Sequence, residues 1–201
     1  MTISYPLTPP NNPAPQTVAI RPSAVTGISA SPYTGQQQVY QHQAQIWNMD
    51  VRLPPMKREQ VEPWIAFLLS LHGRYGTFYY GDPSGRIPRG VATGTPLVNG
   101  ASQTGQILIT DGWTSGITGI LKAGDYVQFG TELHRVLADV NSDGGGNATI
   151  DIWPRIRVSP ANNASIITRN TAGLWRMTSD ESAYEVTNPF YVIQFSCVEA
   201  L

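Results

Sequence analysis

The residues from Asp139 to Asn147 have the spacing that comes closest to a reactive or ligand-binding motif. Asp139, Asn141 and Asp143 match the first, third and fifth ligand positions of a calcium loop, and Gly144 matches its sixth position. The twelfth position, which calcium loops fill with a bidentate glutamate, is Ile150. The flanking segments read as strands where such a loop needs helices. We therefore favour a hairpin loop, because Asn, Asp and Gly suit the positive-φ positions of turns.

The other residues capable of chemistry do not form a recognisable set. The histidines lie far apart and show no metal-ligand spacing, and these are His42, His72 and His134. Cys197 lies beside Phe195 and Val198 in a strand-like segment, which favours a buried thiol over a nucleophile. Asp82 and Asp125 each follow a glycine, and the pattern favours turn acceptors over a catalytic carboxylate pair. The sequence thus predicts no enzyme, no metal site and no cofactor.

Composition points to a β-rich protein with a real core. Of the 201 residues 41% are hydrophobic and only 13% are charged, with 19 glycines and 16 prolines. The net charge of −1 argues against a nucleic-acid-binding protein, which would need clustered Lys and Arg. So few charges indicate that much of the surface is buried in an assembly. One cysteine excludes an internal disulfide, and we expect neither a signal peptide nor a bilayer-spanning segment.

One helix is predicted, over residues 62–72. Its apolar face has helical spacing and comprises Val61, Trp64, Ile65, Leu68 and Leu71. Gly73 supplies the left-handed residue that commonly closes a helix. Pro63 allows either a start near Glu62 or a longer, bent helix, and we favour the first.

The chain before this helix reads as an arm and a long hairpin. Residues 1–22 are rich in proline and predict an extended arm. Residues 24–31 and 36–53 predict two strands joined by a turn at 32–35. The second strand is too long for one small sheet, so we expect it to bend or to reach a subunit contact.

After the helix, residues 77–80 predict a short aromatic strand, and residues 84–164 show the frequent glycines and short strands of a small barrel or sandwich. The predicted strands there are 106–110, 126–129, 133–140, 149–153 and 155–158. Three further strands follow at 166–169, 173–177 and 189–199. The fold class is therefore mainly β with one helix: a sandwich-like domain with a long hairpin (23–83 and 165–201), carrying an inserted small β-barrel or sandwich domain.

Several stretches together resemble the distal tail proteins of long-tailed, non-contractile bacteriophages. These are SPYTGQQQVYQHQAQIWNMDVRLPPM, EPWIAFLLSLHGRYGTFYYGDP, PRGVATGTPLVNGASQTG, GWTSGITGILKAGDYVQFG and the closing EAL. The resemblance covers residues 31–158 and the last strand, and it rests on arrangement and residue texture.

This resemblance implies a structural virion protein, assembled in the host cytoplasm, that forms a hexameric ring at the tail tip. The implied partners are the tail tube protein, the baseplate hub and tape-measure proteins and, in some members, a receptor-binding protein; neither a membrane nor a specific nucleic acid is implied. One ring contact is expected on the hairpin, at Gln36, Gln38, Tyr40, His42 and Trp47. The other is expected on the last strand, with the N-terminal arm as a clasp.

Two other classes of function stay open. In a carbohydrate-binding module, Trp113, Trp153 and Tyr126 would form a sugar platform, although isolated aromatics in a small β domain are more often core residues. A tail-associated hydrolase would need a catalytic pair that the sequence does not display.

Overall fold

The computed structural model describes residues 3–201, and in that range it has one α-helix and eleven strands, so the mainly-β fold with one helix is confirmed. The elements in chain order are β1 (Thr17–Ala30), β2 (Gln37–Arg52), α1 (Arg58–Ser70), β3 (Phe78–Tyr80), β4 (Gly94–Val98), β5 (Gly105–Trp113), β6 (Tyr126–Phe129), β7 (Glu132–Val136), β8 (Ala148–Ile156), β9 (Gly173–Met177), β10 (Tyr184–Thr187) and β11 (Phe190–Glu199).

The first sheet joins strands from both ends of the described chain. Its order is β1-β2-β11-β9-β3, and β10 pairs with the first half of β11. All of its strand pairs are antiparallel. The expected pairing of the last part of the chain with the first is therefore confirmed.

Helix α1 packs on this sheet and supplies much of the first hydrophobic core. Val61, Trp64, Leu68 and Leu71 are buried, as is Phe67, whereas the predicted core residue Ile65 is only half-buried. The Phe67 ring meets that of Phe78 edge to face at 5.4 Å. From the sheet, Met49, Val51, Trp175, Ile193 and Phe195 join the same cluster.

The predicted helix bounds, 62–72, were wrong at both ends. The helix begins at Arg58 and holds Pro63 in its interior. The turn before Pro63 is held because Val61 is fully buried and Arg58 pairs with Glu62 at 3.0 Å. The helix ends at Ser70, and Gly73 has the positive φ expected of it, at 66°.

The second sheet comes wholly from the middle of the chain, in the order β4-β5-β8-β7-β6. It has its own core, which is formed by Val98, Leu108, Trp113, Ile120, Leu121, Val127, Phe129, Val136, Val140, Ala148, Ile150, Ile152, Ile156 and Ile166.

The strand predicted at 133–140 ends at Val136, because the chain turns to place Asp139 against Ala123. The strands predicted at 149–153 and 155–158 are one strand, and the one at 166–169 is reduced to a bridge between Ile167 and Gln128.

The prediction that residues 1–22 form an extended arm was wrong for the last part of that range. Met1 and Thr2 lie outside the described residues, and Thr17 to Pro22 belong to β1. Tyr5 donates its hydroxyl hydrogen to the Ser70 carbonyl at 2.6 Å, and Leu7 bridges Phe78 at the edge of the sheet. The arm thus packs on its own chain, and it contributes Tyr5 and Leu7 to the first core.

A buried polar network joins the two sheets. Arg157 contacts the carboxylate of Glu199, and its Nη1 donates to the Gln45 carbonyl at 3.2 Å. The Gln45 side chain in turn accepts from the backbone N–H of Arg155 at 2.8 Å. Because Gln45 and Glu199 are buried and their partners from the second sheet are partly buried, these contacts link the two sheets.

Candidate assembly surface

The outer part of the β1–β2 hairpin projects beyond the first sheet. In the described chain, β11 pairs with β2 only from Asn48 to Arg52, so the strands before that point have no further neighbour. We call residues 23–44 the distal ribbon, and residues 17–22 with 45–52 the hairpin base. Eight residues of strand, Ser23 to Ala30, extend about 26 Å. The prediction that the second strand overshoots its sheet is confirmed.

An irregularity in the strand pairing separates the two parts of the hairpin. Ala24 pairs with Gln45, but Thr26 pairs with Gln41, so Val25 alone faces three residues of β2. Such bulges bend a strand pair and increase its twist. The bulge therefore marks the point at which the hairpin leaves the sheet.

The distal ribbon exposes apolar side chains on both of its faces. Ile28 and Val39 pair directly on one face and are 64% and 59% exposed. Tyr40 lies opposite Gly27 on the other face and is 53% exposed. A two-stranded hairpin without a third strand or a packed layer is at best marginally stable in water. These faces are suited to burial against another protein.

The ribbon also lacks the charges that usually protect a free strand edge. From Pro22 to Met49 the sequence contains no Asp, Glu, Lys or Arg. Monomeric β proteins commonly place charged residues, above all lysine, on such edges to prevent pairing with other chains. The β10–β11 ribbon, by contrast, carries Glu185, and Asp180 and Glu181 precede it. Of these two ribbons, the distal ribbon is the one that has two open edges and no charged residue.

Four of the five residues predicted to form a ring contact lie on this ribbon. Gln36, Gln38, Tyr40 and His42 are exposed, and Gln38 and Tyr40 share one face because they are two residues apart in a strand. Trp47 is a correction, since it is only 2% exposed in its own chain. Its Nε1 donates to the Leu133 carbonyl at 2.8 Å, and its ring meets Trp153 edge to face at 4.3 Å. Trp47 thus anchors the hairpin base to the second sheet.

The buried network beside Trp47 keeps a carboxylate ionised. Burial alone would raise the pKa of Glu132, but contact with His134 and the charge of Arg157 outweigh this effect and lower the pKa below its usual range. His134 donates from Nδ1 to the Pro154 carbonyl at 2.7 Å and stacks on Phe129 at 4.4 Å. Arg157, which this cluster holds, donates to the Gln45 carbonyl of the hairpin base.

The three aromatics considered as a sugar platform do not form one. Trp113 and Tyr126 are only 4% and 3% exposed, and the half-buried Trp153 packs on the first core. The Tyr126 ring lies under the Arg135 guanidinium at 5.0 Å, and burial raises the pKa of its hydroxyl to about 12. No shared exposed aromatic face is left for these residues to offer a sugar ring.

The acidic loop residues are occupied by local hydrogen bonds. Asp143 accepts the backbone N–H groups of Gly145 and Asn147, each at 2.8 Å, and hydrogen bonds from Asn147 lower the pKa of its carboxyl. Asp139 instead binds Ala123 N–H and the Lys122 ammonium, both at 2.9 Å. Across residues 3–201, no group of three or more His, Cys, Asp or Glu side chains is arranged to hold a metal ion.

Asp82 and Asp125 line the same cleft, of about 440 Å³. Asp82 is a turn acceptor, as predicted, whereas Asp125 mainly accepts from a segment 35 and 36 residues away in sequence. Asp125 accepts from the backbone N–H groups of Arg89, Gly90 and Lys122, and Asp82 accepts from that of Ser84. Cys197 is buried, and burial raises the pKa of its thiol well above the usual range. Asp82 and Asp125 are thus held by backbone hydrogen bonds, and Cys197 lies in the first core.

The sequence reasoning missed the apolar residues Val25, Ile28 and Val39 and the whole polar network between the sheets. The ribbon could have been found from the uninterrupted lack of charge between Arg21 and Asp50. The network gave no such signal, because Glu132, Arg157 and Glu199 are far apart in sequence and look like ordinary surface charges.

Comparison with known proteins yields no match to any protein-family model and none to any curated protein sequence. Within the described range, no helix is both long enough and apolar enough to cross a bilayer.

Proposed function

We propose that this chain is a structural subunit of a tail-tip ring in a long-tailed, non-contractile bacteriophage, similar to a distal tail protein. The observation that carries the proposal is the distal ribbon, an exposed and uncharged strand pair with apolar side chains on both faces. A ring built head to tail needs a surface on each subunit that a different surface of the next subunit covers. The ribbon has the chemistry of such a surface.

In this proposal six copies close a ring that joins the tail tube to the baseplate hub and, through the second sheet, to a receptor-binding protein. The role is structural, and its location is the virion. The low overall charge supports it, because buried subunit interfaces are depleted of Lys, Glu and Asp.

The test is the symmetry of the purified particle. The protein is examined over a range of concentrations by size-exclusion chromatography with light scattering, followed by negative-stain imaging. We expect closed particles with six-fold symmetry. A monomer that persists at every concentration, and that never enters a six-fold particle with tail tube protein present, would contradict the proposal.

A charge placed on the ribbon tests the observation that carries the proposal. Val39→Asp introduces an ionised group on a face that is 59% exposed, and it should leave the subunit folded but prevent assembly. Ile87→Asp is the matched control, because Ile87 is 68% exposed and lies outside the ribbon. Equal loss of assembly in both variants would mean that the ribbon is not the contact surface.

A further inference from the structure

An apolar cleft lies beside the hairpin base, where β1 approaches the second sheet. Its volume is about 240 Å³, and it is lined by Ile20, Pro22, Trp47, Arg135, Leu137 and Trp153. Five of these six side chains are apolar or aromatic, and Leu137 is 51% exposed. The cleft is therefore a concave apolar site open to a partner.

The walls of this cleft are held in place before any partner arrives. Trp47 is fixed by its hydrogen bond to Leu133 and by its edge-to-face contact with Trp153. The Arg135 side chain donates from Nε to the Gly124 carbonyl at 3.1 Å and lies over the Tyr126 ring. A rigid cleft loses little conformational entropy on binding, and a guanidinium at its rim favours an aromatic ring.

The distal ribbon carries a suitable aromatic group at its tip. Tyr33 is 96% exposed, more than any other large hydrophobic side chain in the described residues. The turn that presents it is fixed, because Gly35 N–H donates to the Ser31 carbonyl at 3.0 Å and the Ser31 hydroxyl accepts from Thr34 N–H at 3.3 Å. Exposed tyrosines on ordered turns are frequent anchors at protein interfaces, where they fill a pocket on the partner.

Tyr33 cannot reach the cleft of its own chain. The cleft is at Pro22 and Trp47, and the eight strand residues Ser23 to Ala30, which span about 26 Å, separate Pro22 from the turn that carries Tyr33. The hairpin pairs along this length, so the tip points away from the base. Only a second copy can bring the tip and the cleft together.

We infer that Tyr33, at the ribbon tip of one copy, inserts into the cleft between Trp153, Leu137 and Arg135 of a second copy. The uncharged ribbon brings no repulsive group towards Arg135, and the apolar walls remove the ring from water. The tip and the cleft are different surfaces, so repetition of this contact produces a head-to-tail chain, which closes into a ring when the rotation between neighbours permits closure. The inference specifies one contact within the assembly proposed above and rests on that proposal for ring closure.

The direct test is disulfide trapping between two copies of the full chain. Tyr33→Cys and Leu137→Cys are combined in one protein, which is oxidised at a concentration high enough to offset the weakened contact and is analysed on a non-reducing gel. We expect a ladder of covalent oligomers from the double variant and none from either single variant. The native Cys197 does not compete, because it is buried. Assembled protein that gives no ladder would overturn the inference.

A second test does not depend on cysteine chemistry. Leu137→Arg fills the cleft with a second cation beside Arg135 and should weaken assembly at least tenfold, while the melting temperature of the monomer stays unchanged. Val91→Arg is the control, since Val91 has the same 51% exposure but does not line the cleft. Tyr33→Ala should weaken assembly to a similar degree and Tyr33→Phe should not. Similar assembly of the Leu137→Arg and Val91→Arg variants would contradict the inference.

The outcomes of these experiments also distinguish a failure of the Tyr33 contact from a failure of the proposed function. Six-fold rings that form without a disulfide ladder would support the ring and overturn the Tyr33 contact. Cross-linked particles that are closed dimers would support the contact and overturn the ring, because two antiparallel ribbons can insert their tips reciprocally.

Discussion

The two parts of the β1–β2 hairpin share one strand ladder but have opposite environments. In the base, Met49 and Val51 are almost fully buried under helix α1 and beside β11. In the distal ribbon, Ile28 and Val39 are just as apolar and more than half exposed. Strand pairing alone therefore does not bury a side chain. A further layer is required, and in the ribbon only another molecule can supply it.

The polar residues of the base include charged side chains, whereas those of the distal ribbon do not. The base carries the ion pair between Arg21 and Asp50, and Asp50 also accepts the hydroxyl hydrogen of Ser196 at 2.7 Å. The ribbon replaces charges by amides and hydroxyls, which lose less on desolvation than ionised groups do. The charged residues of the base suit contact with solvent, and the uncharged residues of the ribbon suit burial in an interface.

The largest expected effect is that of Trp47→Ala in the base. Removing this buried ring and its hydrogen bond should lower the free energy of unfolding by about 3 to 5 kcal/mol. Tyr40→Ala in the ribbon should change it by less than about 0.5 kcal/mol, because Tyr40 packs on little within its own chain. Urea unfolding of monomeric protein measures both. Equal losses would mean that the two parts do not differ as described.

The next largest effect is a difference in stability between variants of two neighbouring leucines of helix α1. Leu68→Ala should cost about 2 to 5 kcal/mol, since Leu68 is 6% exposed and belongs to the first core. Leu69→Ala should cost under about 1 kcal/mol, since Leu69 is 63% exposed. Thermal unfolding gives the comparison, and a Leu69 variant as unstable as the Leu68 variant would place the core on the wrong face of the helix.

A smaller effect is expected from the ion pair between Arg157 and Glu199, which joins the first sheet to the second. Arg157→Met leaves Glu199 buried without its partner and should destabilise the fold by about 2 to 3 kcal/mol, below the usual cost for fully buried pairs because Arg157 keeps some exposure. Combining it with Glu199→Met should restore part of that loss. A double variant less stable than the sum of the single variants would show that the pair is not the relevant unit.

The smallest effect is a dependence of stability on pH through Glu132. Its pKa is lower in the folded protein than in the unfolded chain, so the unfolded chain binds the proton more readily. The stabilisation by Glu132 is complete above about pH 4.3, the ordinary glutamate value, and is lost as the pH falls through the lower folded value. Denaturant titrations from pH 7 to pH 3 should show this loss, and Glu132→Gln should reduce it. An unchanged pH profile in the variant would assign the acid sensitivity to other carboxyls.

Local patterns in the sequence predicted most of the fold. The apolar spacing around Trp64 identified the helix, and the turn at 32–35 identified the hairpin. The helix start was misplaced because Pro63 was treated as a local boundary, whereas the burial of Val61 extends the helix beyond it. Tertiary packing therefore determines where helix α1 begins, which local helix propensity did not determine.

The contact surface could be predicted only in part. Gln38 and Tyr40, two of the residues expected at a ring contact, are exposed, but Trp47 was expected there too, and its burial depends on Leu133 and Trp153 from the second sheet. The cleft is likewise assembled from β1, β2 and the second sheet, which no local pattern places side by side. Residues whose neighbours are distant in sequence are those for which the prediction failed.

The position of β11 has a consequence for synthesis of the chain on the ribosome. β11 lies between β2 and β9 in the first sheet, and Ser196 meets Asp50 across 146 residues of sequence. All strands of the second sheet are translated before β11 emerges, so that sheet can fold while the first is still incomplete. During this interval β2 is open along its whole length on the side that β11 will occupy. Slower translation lengthens the interval in which the nascent β2 edge can meet another chain, so it should lower the yield of soluble protein.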